Sequence, residues 1–213
     1  MQLATTDLEA ETNQNITETQ EEFFAMCEDS EDADNITQTV NNVTTKITEC
    51  VQTSTSVTVQ MCANVAIQAL LVKQTTAHQQ IGHCVSEGKA ENEKDMNEIK
   101  ESFKQSCSHN HEQLKHCADK HKPGPGPHKR GPASDSDSGE TPAEKCESCK
   151  KKHCDKGKAH KEHSHEKCKK HKKGGEHHEK VKKCKKDSRT TTITEIQAIV
   201  ATFNICASVT ITL

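Results

Sequence analysis

Between residues 145 and 187 the sequence gathers the side chains that hold transition metals. It runs Cys146, Cys149, His153 and Cys154, then His160, His163, His165, Cys168, His171, His177, His178 and Cys184. Thiolate sulfur and imidazole nitrogen are the ligands that soft and borderline ions such as Zn²⁺ and Cu²⁺ prefer. Cys146 and Cys149 offer two thiolates from one tight turn, and His153 or Cys154 supplies a third ligand. Cys168 and His171, three apart, share a face if the segment turns helical on binding. No second matched pair with fixed spacing follows, so the pattern points to adaptable metal capture and not to a particular zinc fold.

The same stretch is strongly basic. Residues 145–187 carry seventeen Lys against seven Asp and Glu, whereas residues 1–60 carry twelve Asp and Glu against one Lys. The formal net charge of −3 conceals these two opposed blocks. A lysine-rich tail binds polyanions by releasing counterions, which makes anionic glycans and mucins candidate partners beside metal ions. Nucleic acid is disfavoured, because Arg189 is the only Arg after residue 144 and no aromatic residues interleave with the lysines for base stacking. Imidazoles titrate near about 6.5, so acidification would add charge to the tail while releasing metal.

Composition bounds the rest. Hydrophobic residues are 30% of the chain, with no Trp, no Tyr and four Phe. That excludes one core running through all 213 residues. It also argues against an enzyme pocket lined by aromatics, so the expectation is a non-enzymatic protein. Twelve Cys are dense for a reducing compartment. Three glycosylation sequons begin at Asn15, Asn35 and Asn42. Together they predict secretion, although residues 1–7 have neither the basic nor the apolar region of a leader; an intracellular location is the alternative.

Four stretches follow from these features: 1–122, 123–144, 145–189 and 190–213. In the first, an apolar stripe steps by four and three through Ile36, Val40, Val43, Ile47, Cys50, Ser54, Val57 and Met61, as in a coiled coil. A second runs Ile67, Leu71, Gln74, His78, Ile81, Val85. A third runs Met96, Ile99, Phe103, Cys107, Leu114, Cys117, with Asn110 interrupting it. A turn at Gly88 would make the flanking helices antiparallel and bring Cys62 opposite Cys117. Cys27, Cys50, Cys62, Cys84, Cys107 and Cys117 are the disulfide candidates, with near-regular spacings of 22 or 23 residues between 27 and 50, 62 and 84, and 84 and 107. The predicted fold class is mostly α: antiparallel helical hairpins or a bundle stapled by disulfides, followed by a largely disordered Lys/His/Cys-rich tail. A disulfide at Cys117 would exclude a metal site there.

Cysteines placed along helical stretches ahead of a compositionally biased tail resemble the TsetseEP family of insect secreted proteins. The resemblance covers roughly residues 20–120 and rests on those six cysteines. It departs in the Lys/His/Cys tail, where the family has acidic and Pro repeats. It implies a secreted, non-catalytic helical domain and carries no catalytic residues.

Residues 123–144 read as a linker. Pro123, Pro125 and Pro127 alternate with Gly124 and Gly126 and cannot continue a helix. Ser138, followed by Gly139 and Glu140, fits a glycosaminoglycan or secretory-kinase site, or else a plain solvated spacer. Residues 196–213 carry no charge; their alternating end, Val209 to Leu213, predicts a strand or packing segment, with a GPI signal as the second reading and the only route to a membrane. The reading is a secreted binding protein whose tail captures Zn or Cu and polyanions, the helical part being carrier or oligomerisation unit. The alternatives are a matrix, cuticle or secretion component cross-linked through Cys, and an intracellular metal-thiolate buffer.

Overall fold

The computed structural model describes residues 2–120, 142–172 and 174–213, with the side chains of residues 2–8, 118, 120, 142–146, 150 and 154 outside that description. Five helices occupy nearly all of it: α1 (Gln2–Cys27), α2 (Glu31–Gln52), α3 (Val57–Lys120), α4 (Pro142–Lys169) and α5 (Glu176–Ala207). No strand occurs among the described residues. The chain forms two compact units that cut across the four sequence stretches. One joins Gln20–Glu93 to Lys170–Leu213, and the other joins Met1–Thr19 to Lys94–Lys169.

The first unit has an aliphatic core. Its α2 buries Ile36, Val40, Val43 and Ile47, the expected stripe. Acidic Glu31, Asp32 and Asp34 sit in the first turn, where the helix dipole favours them. The many Thr are accommodated because Thr37, Thr39, Thr45 and Thr48 each donate to the carbonyl one turn back. The stripe stops at Gln52, however. Residues 53–56 leave the helix and α3 restarts at Val57 with a new phase, so Val57 and Met61 stand exposed instead of buried. The second stripe is likewise displaced: Leu70, Ala77 and Ile81 are buried, while Leu71 is 52% exposed.

No turn forms at Gly88. The residue lies inside α3 and is buried, and a Cβ placed there would overlap Val181 Cγ2 of α5. Glycine permits close helix approach here. Because α3 runs through Gly88 without a turn, the antiparallel hairpin expected to bring Cys62 opposite Cys117 does not form. The expected bond between them is replaced by Cys62–Cys206 and Cys117–Cys149, with a third bond at Cys84–Cys184.

Helices α3 and α5 run antiparallel in constant register. Four rungs join them: Cys62–Cys206, Lys73–Glu195 (2.8 Å), Gln80–Ser188 (3.1 Å) and Cys84–Cys184. The steps between rungs are 11, 7 and 4 residues on both helices. Each step is close to a whole number of helical turns, which keeps every rung on one face. The uncharged C-terminal stretch, expected at its Val209–Leu213 end as a strand or packing segment, is helical to Ala207, where Ile196, Val200, Phe203 and Ala207 complete the core. Past it no strand forms, and Val209 and Ile211 pack against that core. Beyond the left-handed Ser208, Asn204 brackets Ile211 with two hydrogen bonds, its Nδ2 donating to the carbonyl and its Oδ1 accepting from the amide. No helix is long and apolar enough to cross a membrane among the described residues.

The second unit is more polar. Ile16, Met96, Ile99 and Cys168 form its apolar cluster, while Thr12, Thr19, Asn110, His153 and Ser164 are also buried. Here α1 and α4 run parallel. Lys161 pairs with Glu11 at 2.6 Å, and one turn on, His165 Nδ1 lies 2.9 Å from Asn15 Nδ2. Helix α4 returns antiparallel to α3: Cys149 near its start bonds Cys117 near the end of α3, and Cys168 near its end meets Met96 and Ile99. The Lys/His/Cys stretch, expected to be largely disordered, is therefore helical through α4 and the start of α5. Lysine is a good helix former. The small or polar residues Cys149, His153, Gly157, Ser164 and Cys168 make one face of α4 narrow enough to pack.

Candidate metal centre

One turn of α4 separates Cys149 from His153, so both point from the same face. Antiparallel α3 brings Cys117 to the same place. One ligand atom from each of Cys117, Cys149 and His153 lies within 4.8 Å of the others. The two sulfurs are joined as a disulfide with Cα atoms 6.2 Å apart. His153 is 8% exposed, and its Nδ1 has no hydrogen-bond partner. Burial pushes its imidazole below the usual histidine range, and Lys156, Lys152 and His109 push it the same way. The neutral imidazole is the form that coordinates metal.

Of the remaining tail residues, His171 and His177 come within 4.8 Å of each other, and the rest do not join them or His153 in one array. Cys184 is bonded to Cys84, so it offers no thiolate, which corrects its place among the ligands. Cys149 likewise carries a disulfide in addition to its place beside His153. Cys168 is buried against Ile16, Met96 and Ile99. Because α4 ends at Lys169, Cys168 and His171 share no helical face. His171 is buried, with its Nδ1 2.9 Å from Asn92 Nδ2 and its ring stacked on His177 at 4.2 Å. The Gly174 amide donates to His178 Nδ1 at 3.2 Å. His160 and His163 are exposed on α4. The side chains of Cys146 and Cys154 lie outside the described residues, as does Ser138.

Of the disulfide candidates, Cys62, Cys84 and Cys117 are bonded, each to a cysteine of the tail or C-terminal stretch. Cys27, Cys50 and Cys107 are thiols. Burial raises the Cys27 and Cys107 thiols above the usual range, although Lys185 and Lys89 pull Cys27 back in part. Asn35 and Asn42 are exposed on α2, whereas Asn15 is half-buried beside His165. Lys185, one of the seventeen tail lysines, is buried and donates to the carbonyls of Cys27 and Asp29. Most other described lysines of the tail are exposed.

Sequence reasoning missed a cleft of about 760 Å³ between α3 and α5. Met61, Val65, Ala66, Ala69, Ile199 and Phe203 line it, with the Lys73–Glu195 pair among its polar groups. It also missed that Cys184 and Cys206 bond to Cys84 and Cys62, though a signal was present: the two are 22 residues apart, the spacing of Cys62 and Cys84. Comparison with family models, curated proteins and solved structures finds no match to this chain.

Proposed function

We propose that this chain is a non-enzymatic secreted protein that captures Zn²⁺ or Cu²⁺ through the cysteines and histidines of α4, on a helical carrier held by disulfides. The convergence of Cys117, Cys149 and His153 within 4.8 Å carries the reading. Two thiolates and an imidazole suit Zn²⁺ and leave one tetrahedral position to water or a small ligand. Secretion is supported by three disulfides and by the exposed sequon residues Asn35 and Asn42. Kinship with the TsetseEP secreted proteins belongs to the same proposal and is supported by cysteines set along α1, α2 and α3. The exposed lysines of α4 support weaker, salt-sensitive binding of anionic glycans beside the metal.

The test is equilibrium dialysis of the reduced full-length protein against zinc, followed by elemental analysis. Zinc held after gel filtration, removed by chelator and reduced in amount by His153→Ala, is the expected result. A reduced, folded chain that retains no zinc or copper overturns the reading. One observation favours a second role: Cys50 and Cys107 are half-buried thiols that cross-link chains if they oxidise between molecules. Chelator-insensitive covalent oligomers on non-reducing gels would favour that structural role.

A further inference from the structure

We propose that the Cys117–Cys149 disulfide is a gate, so that the site takes a divalent zinc-like ion only after this one bond is opened, while the other two bonds serve as staples. The inference rests on the metal-capture reading and adds its regulation. Three observations carry it. First, this is the only one of the three bonds with a third ligand beside it among the described residues: His153 stands over Cys117 and Cys149, and no such group includes Cys62, Cys84, Cys184 or Cys206. Second, the buried Nδ1 of His153 has no hydrogen-bond partner in the disulfide form. A buried polar atom without a partner is costly, and a cation coordinated through Nδ1 would satisfy it. Third, the bond closes 32 residues, whereas in this nested set Cys84–Cys184 adds arms of 33 and 35 residues around it and Cys62–Cys206 adds two arms of 22 around that. A shorter loop constrains the unfolded chain less, so this bond stabilises the fold least in the chain-entropy account.

The chemistry balances with an external dithiol. One thiolate of the dithiol attacks Cys149 Sγ and forms a mixed disulfide, releasing Cys117 as the thiol. The second dithiol sulfur then closes the reductant's own disulfide and releases Cys149. Two electrons and two protons pass from the dithiol to the protein, leaving two thiols. The arriving ion displaces both thiol protons to solvent and binds the two thiolates with the His153 imidazole. A small-molecule disulfide reverses the sequence, taking the electrons and expelling the ion.

The experiment compares the full-length protein before and after limited reduction with a dithiol, with peptide mapping to identify which bond has opened and circular dichroism to follow helicity. Zinc itself is the probe, read by elemental analysis after gel filtration. The expected result is zinc retained by the chain opened at Cys117–Cys149, absent from the oxidised chain at this site, and released when a disulfide oxidant is added. His153→Ala should weaken retention without changing the thiol count. Equal zinc binding by oxidised and opened chains overturns the gate and leaves metal capture standing. No zinc on either overturns both. Loss of helicity on opening this bond alone makes it a staple and overturns the gate.

Discussion

The two compact units fill equivalent buried positions with different chemistry. In the unit of Gln20–Glu93 and Lys170–Leu213, helix faces bury Ile, Val, Leu and Phe, and two disulfides clamp one antiparallel helix pair. In the unit of Met1–Thr19 and Lys94–Lys169, Thr12, Thr19, Asn110, His153 and Ser164 are buried beside a smaller apolar set of Ile16, Met96, Ile99, Phe103 and Cys168. Apolar burial stabilises by about 25 cal/mol per Å². A polar buried group only approaches neutrality when it finds a partner. The comparison teaches a division of labour. The aliphatic unit has the packing to hold itself together, and the polar one keeps side chains able to bind something.

The largest test of that contrast is Phe203→Ala. Its ring is fully buried in the aliphatic core, so truncation should lower unfolding free energy by about 3–5 kcal/mol in urea titrations. Ser164→Ala, at a buried position of the polar unit, should change it by under about 1 kcal/mol. Similar losses at the two positions would break the comparison.

Next in size is removal of Cys62–Cys206 by paired alanines. Because Cys84–Cys184 already closes the inner loop, the outer bond adds only the closure of two 22-residue arms. The expected cost is about 2–4 kcal/mol by thermal melt. Paired alanines at Cys117 and Cys149 should cost less, and a larger loss there would count against the contrast.

Gly88→Ala forces a methyl group onto Val181. It should destabilise by about 1–3 kcal/mol despite the better helix propensity of alanine. A stabilised variant would mean that α5 is free to move away.

The smallest effect is a titration. Burial holds the Cys27 thiol above its ordinary range, so the unfolded chain loses that proton first. Stability from this group is full below the ordinary thiol value of about 8.5 and declines as pH rises through the higher folded value. Mass-spectrometric alkylation at pH 8 should label Cys50 before Cys27. The reverse order would show that the Cys27 pocket opens readily.

The helical class and the α2 face were legible because Ile36, Val40, Val43 and Ile47 repeat in an uninterrupted apolar phase. The candidate ligands Cys149 and His153 were legible as residue types four apart. Two inferences failed for local reasons. Gly88 was read as a turn because glycine weakens helices, but its cost of about 1 kcal/mol is small beside the close packing it allows against Val181. The lysine-rich segment was read as disordered because polarity hides a packing face made of Cys, His, Gly and Ser. Cys117 in the candidate metal centre was legible only as a disulfide candidate. Its partner depended on the path of α3, which no local pattern encodes.

The nested bonds also decide how the molecule bears tension. If it is stretched by its two ends, force passes along residues 1–62, crosses the Cys62–Cys206 sulfurs and leaves through residues 206–213. Residues 63–205 are bypassed and carry no load while that bond is intact. Cys117, Cys149 and His153 all fall within the bypassed stretch. An oxidised chain would therefore extend by only a fraction of its contour, and a reductant would release the remainder as hidden length.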